Sequence, residues 1–178
     1  AWNKKIFKHI QEHVDQASKD LADERGPCPD AADYGYNERF SNKTAIAPTA
    51  SISIICGGAS PGVEPVAANS YTHKTLSGSF NVRNRYLVEL LEKHGKNTDD
   101  VWSEITTNQG SVSHLDFLTD LEKDVFKTAF ELDQKWIIEL SGDRTPYISQ
   151  AQSINLFVPA DIHKRELHKI HFDAWKKG

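Results

Sequence analysis

The sequence contains no methionine, not even at position 1, and only two cysteines, Cys28 and Cys56. The first absence predicts a piece of a longer chain. The second excludes a disulfide-built scaffold and predicts a reducing, cytoplasmic setting. Long apolar runs are also missing, and nothing approaches the roughly 20 residues a bilayer-spanning helix needs. The opening AWNKKIFKHIQEH has no apolar core of the secretory kind. Basic charge is not in excess: 21 Lys and Arg stand against 25 Asp and Glu, a net charge of −4. That balance leaves no positive footprint for nucleic acid or an anionic membrane surface.

What is present is a globular composition. Hydrophobic residues make up 38% of the 178, including eight Phe and four Trp, which predicts one domain over residues 1–178 with a real core. Ile6, Ile10, Val14, Ala17 and Leu21 recur at helical spacing and predict a helix from Trp2 to about Ala22 with one buried stripe. Pro27 and Pro29 forbid its continuation. KTAIA (43–47) reads as a short strand, and NSYTHKTLSGSFNV (69–82) as a strand or extended segment. Tyr86, Leu87, Leu90 and Leu91 predict a helix from Asn84 to Gly95, and Val101, Trp102 and Ile105 a second from Thr98 to Thr107.

Thr119–Glu122 has capping-box spacing, and Leu121, Val125, Ala129, Leu132, Trp136 and Leu140 keep helical register from there to Gly142. QSINLFVP (152–159) reads as a buried strand, followed by a helix from Ala160 to Lys177 carrying Leu167, Ile170, Ala174 and Trp175. The pattern predicts a mixed α/β fold with parallel strands covered by helices. Its last helix would ordinarily feed another strand, so the C-terminal boundary reads as arbitrary.

The stretch APTASISIICGG (47–58) is the first candidate for chemistry. A small-residue loop between a strand and a helix can aim several backbone N–H groups at one anion, with hydroxyls from Thr49, Ser51 and Ser53 as further donors. The same letters also describe an ordinary strand with alternating serines, closed by a Gly57-Gly58 turn, and pattern alone leaves both open. It is neither a Walker motif nor a dinucleotide fingerprint. Glu64 in GVEP lies close by in sequence and could orient a backbone turn, but nothing marks it as a catalytic base. His163, His168 and His171 lie among Lys164, Arg165 and Lys169, which would repel a cation, so a solvated helix face is expected there. His9 and His13 are read in the same way. Cys28 and Cys56 are expected to be buried and inert.

The blocks ERFSNKTAIAPTASISIICGG, SPGVEP, YTHKTLSGSF and QAQSINLFVP, in that order, are more specific than any one of them. Together they resemble the C-terminal part of the large (alpha, catalytic) subunit of class I ribonucleotide reductase, from Trp2 to Gly178. The resemblance implies an α/β fold that is an incomplete part of the second half of a ten-stranded α/β barrel. It implies that the loop at Pro48–Ser53 holds the phosphates of a ribonucleoside diphosphate, with contacts on Thr49, Ala50, Ser51, Ile52 and Ser53. Backbone N–H groups would supply most donors, and Ala50 departs from family members that carry glutamate there.

Catalytic residues are not expected in this chain, because the radical cysteine, its glutamate and the reducing cysteine pair of the family match no position here. Metal ligands are not expected either. The resemblance implies three protein partners: the remainder of the large subunit, a second large subunit in a homodimer, and a radical-generating, metal-containing small (beta) subunit. A thioredoxin- or glutaredoxin-type reductant would restore the dithiol. Two other roles fit the same residues: a stand-alone phosphate- or nucleotide-binding module, and one half of a split reductase.

Overall fold

The computed structural model describes residues 1–76 and 78–178, with the side chains of Ala50, Ser51 and Thr75 outside that description. In chain order its regular elements are α1 (Trp2–Arg25), α2 (Pro29–Asp33), α3 (Ala50–Ile55), β1 (Ser70–Thr75) and β2 (Gly78–Arg83). They continue with α4 (Arg85–Lys93), α5 (Asp99–Thr107), α6 (Asp120–Val125), α7 (Lys135–Arg144) and α8 (Lys164–Lys176). Single 3-10 turns stand at Ala129–Glu131 and Thr145–Tyr147. Two units share the chain. The first comprises Ala1–Pro48, Lys135–Ile154 and Ile162–Gly178, and the second Thr49–Gln134 and Asn155–Asp161.

In the first unit α1 packs on α7, and α7 packs on α8. The predicted stripe on α1 holds in part, with Val14 and Leu21 half-buried. Ser18 and Ala22 are buried and Phe7 is half-buried, whereas Ile6 and Ile10 are 52% and 40% exposed and Ala17 is exposed. The inward face combines polar contacts with the buried Ile137 and Ile138 of α7. Ser18 Oγ accepts from the backbone N–H groups of Arg39 (3.1 Å) and Phe40 (3.3 Å). Buried Arg144 donates to Ser141 Oγ (2.8 Å) and Gln152 Oε1 (3.2 Å), and its guanidinium lies over the Phe7 ring.

The predicted strand at 43–47 is reduced to one parallel bridge, Ile46 to Gln152. Ile46 N–H donates to Ala151 O (3.3 Å), and Ser153 N–H donates to Ile46 O (2.8 Å). The predicted helix from Ala160 instead starts at Lys164, where the His163 ring accepts from Arg165 N–H (3.2 Å). None of the residues of α8 is buried, and Trp175 is 73% exposed.

The second unit holds the apolar core: Leu87 and Leu91 of α4, Trp102 and Ile105 of α5, and Val112, Leu115 and Leu118 of the following loop. Both helices start where the sequence placed them. Asn84 accepts from Tyr86 N–H and Thr98 from Val101 N–H, so each first turn has a side-chain cap. Among the described residues the only sheet is the antiparallel hairpin β1–β2, with Tyr71 opposite Val82 and His73 opposite Phe80. This corrects the expectation of a parallel sheet, since parallel pairing is confined to the single bridge in the first unit.

The long helix expected from Thr119 to Gly142 is also corrected. The Thr119–Glu122 capping box forms, but α6 ends at Val125. A second box, Thr128–Glu131, then opens a 3-10 turn in which the Glu131 carboxylate accepts from Thr128 N–H (2.8 Å). In the first unit, Gly142 does not stop α7 but lies within it. A Cβ there would come 2.9 Å from Lys177 Cβ, so glycine permits the close approach.

Candidate functional site

The middle of the stretch 47–58 is a helix, which removes the ordinary-strand reading. α3 runs from Ala50 to Ile55, and Gly57 and Gly58 turn the chain after it with φ of +87° and +74°. Both angles lie in the left-handed region that glycine adopts without steric cost. Thr49 occupies the N-cap position, yet its hydroxyl caps nothing. Oγ1 donates instead to Pro61 O (2.9 Å), and Thr49 N–H donates to the same oxygen (2.8 Å). The start of α3 therefore receives no cap from Thr49, while the segment before it is fastened to the turn at residues 60–64.

The five residues expected to contact phosphate are unequal. Thr49 has spent its hydroxyl proton and its N–H on Pro61. Ser53 is buried, and its N–H closes the first helical bond to Thr49 O (2.8 Å). Ile52 is 59% exposed. Ala50 and Ser51 stand in the first turn of α3, and their side chains lie outside the described residues. The first N–H groups of any helix lack intrahelical partners, and this first turn is made of Ala50, Ser51 and Ile52.

Glu64, in the turn that holds Pro61, is buried, only 4% exposed. Its Oε1 accepts twice from Asn155, from the backbone N–H (3.2 Å) and from Nδ2. Its Oε2 is buried without a hydrogen-bond partner among the described residues. Ser60 Oγ donates to Glu64 O and closes the turn, and a Cβ on Gly62 would run into the Glu64 carboxylate. Two residues on, Phe157 N–H donates to the side chain of buried Gln134 (2.8 Å). The stretch read as a strand, 152–159, therefore has two of its N–H groups satisfied by side chains rather than by a neighbouring strand. Sequence reasoning assigned Asn155 no role. Its partner lies 91 positions away, and no local pattern reports such a pair.

The remaining candidates gather no chemistry. No group of three His, Cys, Asp or Glu able to hold a metal occurs among the described residues. His163 serves as a helix cap, and the His171 ring pairs with Leu167 O (2.8 Å) on its own helix. Cys56 is exposed and Cys28 half-buried, against the expectation that both are buried. A surface groove lined by Asp100, Ser103, Glu104, Thr107 and Asn108 follows one helix and is acidic, so it would repel an anion. In the first unit, Lys43 pairs with Asp15 (2.6 Å) and Glu38 (3.2 Å). Burial pulls Lys43 down, but its bonds to the two carboxylates outweigh that and leave it raised. The Ser18 hydroxyl, ahead of Lys43 itself, holds Glu38 low.

Known proteins resemble the chain over nearly its whole length. A family model described as "Ribonucleotide reductase, barrel domain" matches residues 30–178. The chain is 49% identical over 97% of its length to the ribonucleoside-diphosphate reductase large subunit of Invertebrate iridescent virus 6, of which it spans 18%. It is 45% identical over 99% of its length to the large subunit of Invertebrate iridescent virus 3, spanning 28% of that protein. Among solved structures, the alpha subunit of the Actinobacillus ureae class Id ribonucleotide reductase superposes with a TM-score of 0.86 at 38% identity. That match covers 98% of this chain and 31% of the other.

Proposed function

The chain belongs to the ribonucleotide reductase barrel-domain family, and on that premise we propose that it forms part of a ribonucleoside-diphosphate reductase large subunit and supplies the segment that holds the substrate phosphates. The observation that carries this reading is the nearly end-to-end match to large subunits of which the chain spans 18%, 28% and 31%. Residues 1–178 would then form one piece of a single barrel domain, an incomplete part of the second half of a ten-stranded α/β barrel.

The phosphate role belongs to residues 49–53. Thr49 turns its hydroxyl away from α3, and the first-turn N–H groups are therefore left without a cap from it. An anion seated there would complete them, as phosphates do at other helix starts. Thr49 contributes by fixing the segment, Ser53 by closing the first helical bond, and Ala50, Ser51 and Ile52 by facing the phosphate with their backbone. Such positioning brings a ribose to the groups that act on it and is worth much of a barrier by itself.

The chemistry lies elsewhere in the assembly. A radical delivered from a metal-containing small subunit starts the reaction, the 2′-hydroxyl leaves as water, and a dithiol supplies two electrons. A thioredoxin- or glutaredoxin-type reductant then restores the dithiol. The partners are the rest of the large subunit, a second large subunit and the small subunit. No residue of this chain is assigned a catalytic role.

The test is a calorimetric titration of the chain with CDP, beside Ser51→Glu. Like charges brought together cost several kcal/mol, so the variant should bind at least about tenfold more weakly. Equal affinity would remove the phosphate assignment.

A further inference from the structure

Pro61 O takes both the N–H and the hydroxyl of Thr49, at 2.8 and 2.9 Å, so the entry to α3 is tied to Pro61 by two bonds. Pro61 belongs to a turn closed by the bond from Ser60 Oγ to Glu64 O. Glu64 is 4% exposed, and its carboxylate lies against Gly62, where any Cβ would collide with it. From that buried position Oε1 takes the two N–H donors of Asn155. Three successive links thus join residue 155 to the first turn of α3: Asn155 to Glu64, the turn from Glu64 back to Pro61, and Pro61 to Thr49.

We infer that Glu64 is a positioning residue for the phosphate segment, acting through Pro61 and Thr49 and touching no substrate itself. The inference rests on the phosphate reading of residues 49–53. A carboxylate suits the place because a single oxygen must accept two convergent donors with water excluded, and charged acceptors make the stronger bonds. Its Oε1 is engaged by Asn155, and on the phosphate reading the anion is met by the first-turn N–H groups of α3. Gly62 is the companion requirement, since only glycine leaves room for the carboxylate above it.

The experiment uses the full 178-residue chain as wild type, Glu64→Ala, Glu64→Gln, Asn155→Ala and Ser51→Glu. Two quantities are read: amide hydrogen exchange of Thr49 relative to Leu91 and Ile105 in the core, and affinity for CDP. Local opening raises exchange locally, whereas loss of overall stability raises it in the core as well. Glu64→Ala should speed exchange at Thr49 by about tenfold over the core amides and weaken CDP by about tenfold, since small misplacements carry such costs. Glu64→Gln keeps one accepting oxygen and should recover most of both effects.

Wild-type exchange at Thr49 in Glu64→Ala, or exchange raised equally across the core, overturns the inference. Should Glu64→Ala fail to fold, Asn155→Ala cuts the same link from its other end, and an unchanged Thr49 amide there is equally fatal. Unaltered CDP affinity in Ser51→Glu would remove the phosphate reading, while Thr49 exchange still decides whether Glu64 holds the segment.

Discussion

Asn69 is 1% exposed and has every polar atom engaged. Its Nδ2 donates to Gly110 O (3.0 Å) and Phe126 O (2.7 Å), and its Oδ1 accepts from Asn84 Nδ2 (2.9 Å). Asn84 N–H donates to Asn69 O (2.8 Å), so the residue fastens the foot of the hairpin to the start of α4. Buried groups left without partners cost about 1–3 kcal/mol each. Asn69→Ala should therefore lower the unfolding free energy by about 2–4 kcal/mol in urea titrations, and a change under about 0.5 would show that the network carries no weight. Asn69, Glu64 and Gln134 have in common that sequence periodicity says nothing of them. An isolated buried polar residue has no repeat, and its partners stand far along the chain. Thr49 and Ser53 were legible as members of a small-residue stretch, but the inward turn of the Thr49 hydroxyl was not, because it depends on Pro61 arriving from the next loop.

Among the elements, those with caps were the ones the sequence specified best. Asn84, Thr98 and Thr119 each accept from the first turn of their helix. The break after α6 was missed because apolar spacing ran through it, although Thr128–Glu131 repeats the hydroxyl–carboxylate spacing that marks a new start. α3 was ambiguous for a different reason. Alternating serines and isoleucines suit a strand, but the segment closes its own bonds, Ser53 N–H to Thr49 O and Cys56 N–H to Ile52 O.

α6 also carries a pH dependence. Glu122 bonds to the His94 ring (3.0 Å), and to Thr119 through N–H and Oγ1 (both 2.8 Å). The His94 bond, then those to Thr119, hold the carboxyl at about 2 against an ordinary 4.5. A carboxyl that is more acidic in the folded state stabilises the fold above its unfolded value, and protonation erodes that stabilisation. Thermal melts should therefore lose stability as pH falls from about 4.5 towards 2. Glu122→Gln should flatten that limb, and an identical acid limb in both proteins would show that the capping box does not titrate with folding.

At the scale of the whole molecule, the tryptophans divide between the two units. Trp102 in the second is 2% exposed, with Nε1 donating to Asn97 Oδ1 (2.8 Å) and the Arg83 guanidinium over its ring. Trp2, Trp136 and Trp175 in the first are 76%, 66% and 73% exposed. Acrylamide should therefore quench most of the emission readily and leave a protected remainder. Trp102→Phe should abolish that remainder, and a single accessible population in the wild type would contradict the core. The first unit differs from the second in kind. Its inward face mixes Ser18, Ala22, Ser141 and Arg144 with Ile137 and Ile138, and of the hydrophobic stripe on α1 only Val14 and Leu21 are half-buried while Ile6 and Ile10 are exposed.

The side-chain acceptors along residues 155–157 also bear on self-association. Extended segments aggregate when a row of free N–H and C=O groups lets a second chain add to the edge. Here Glu64 takes the N–H of Asn155 and Gln134 takes that of Phe157, alternate positions on one edge. A foreign strand arriving there would have to unseat two buried side chains before gaining its first bonds. The apolar run that follows Asn155 thus carries its own gatekeepers, recruited from elsewhere in the chain.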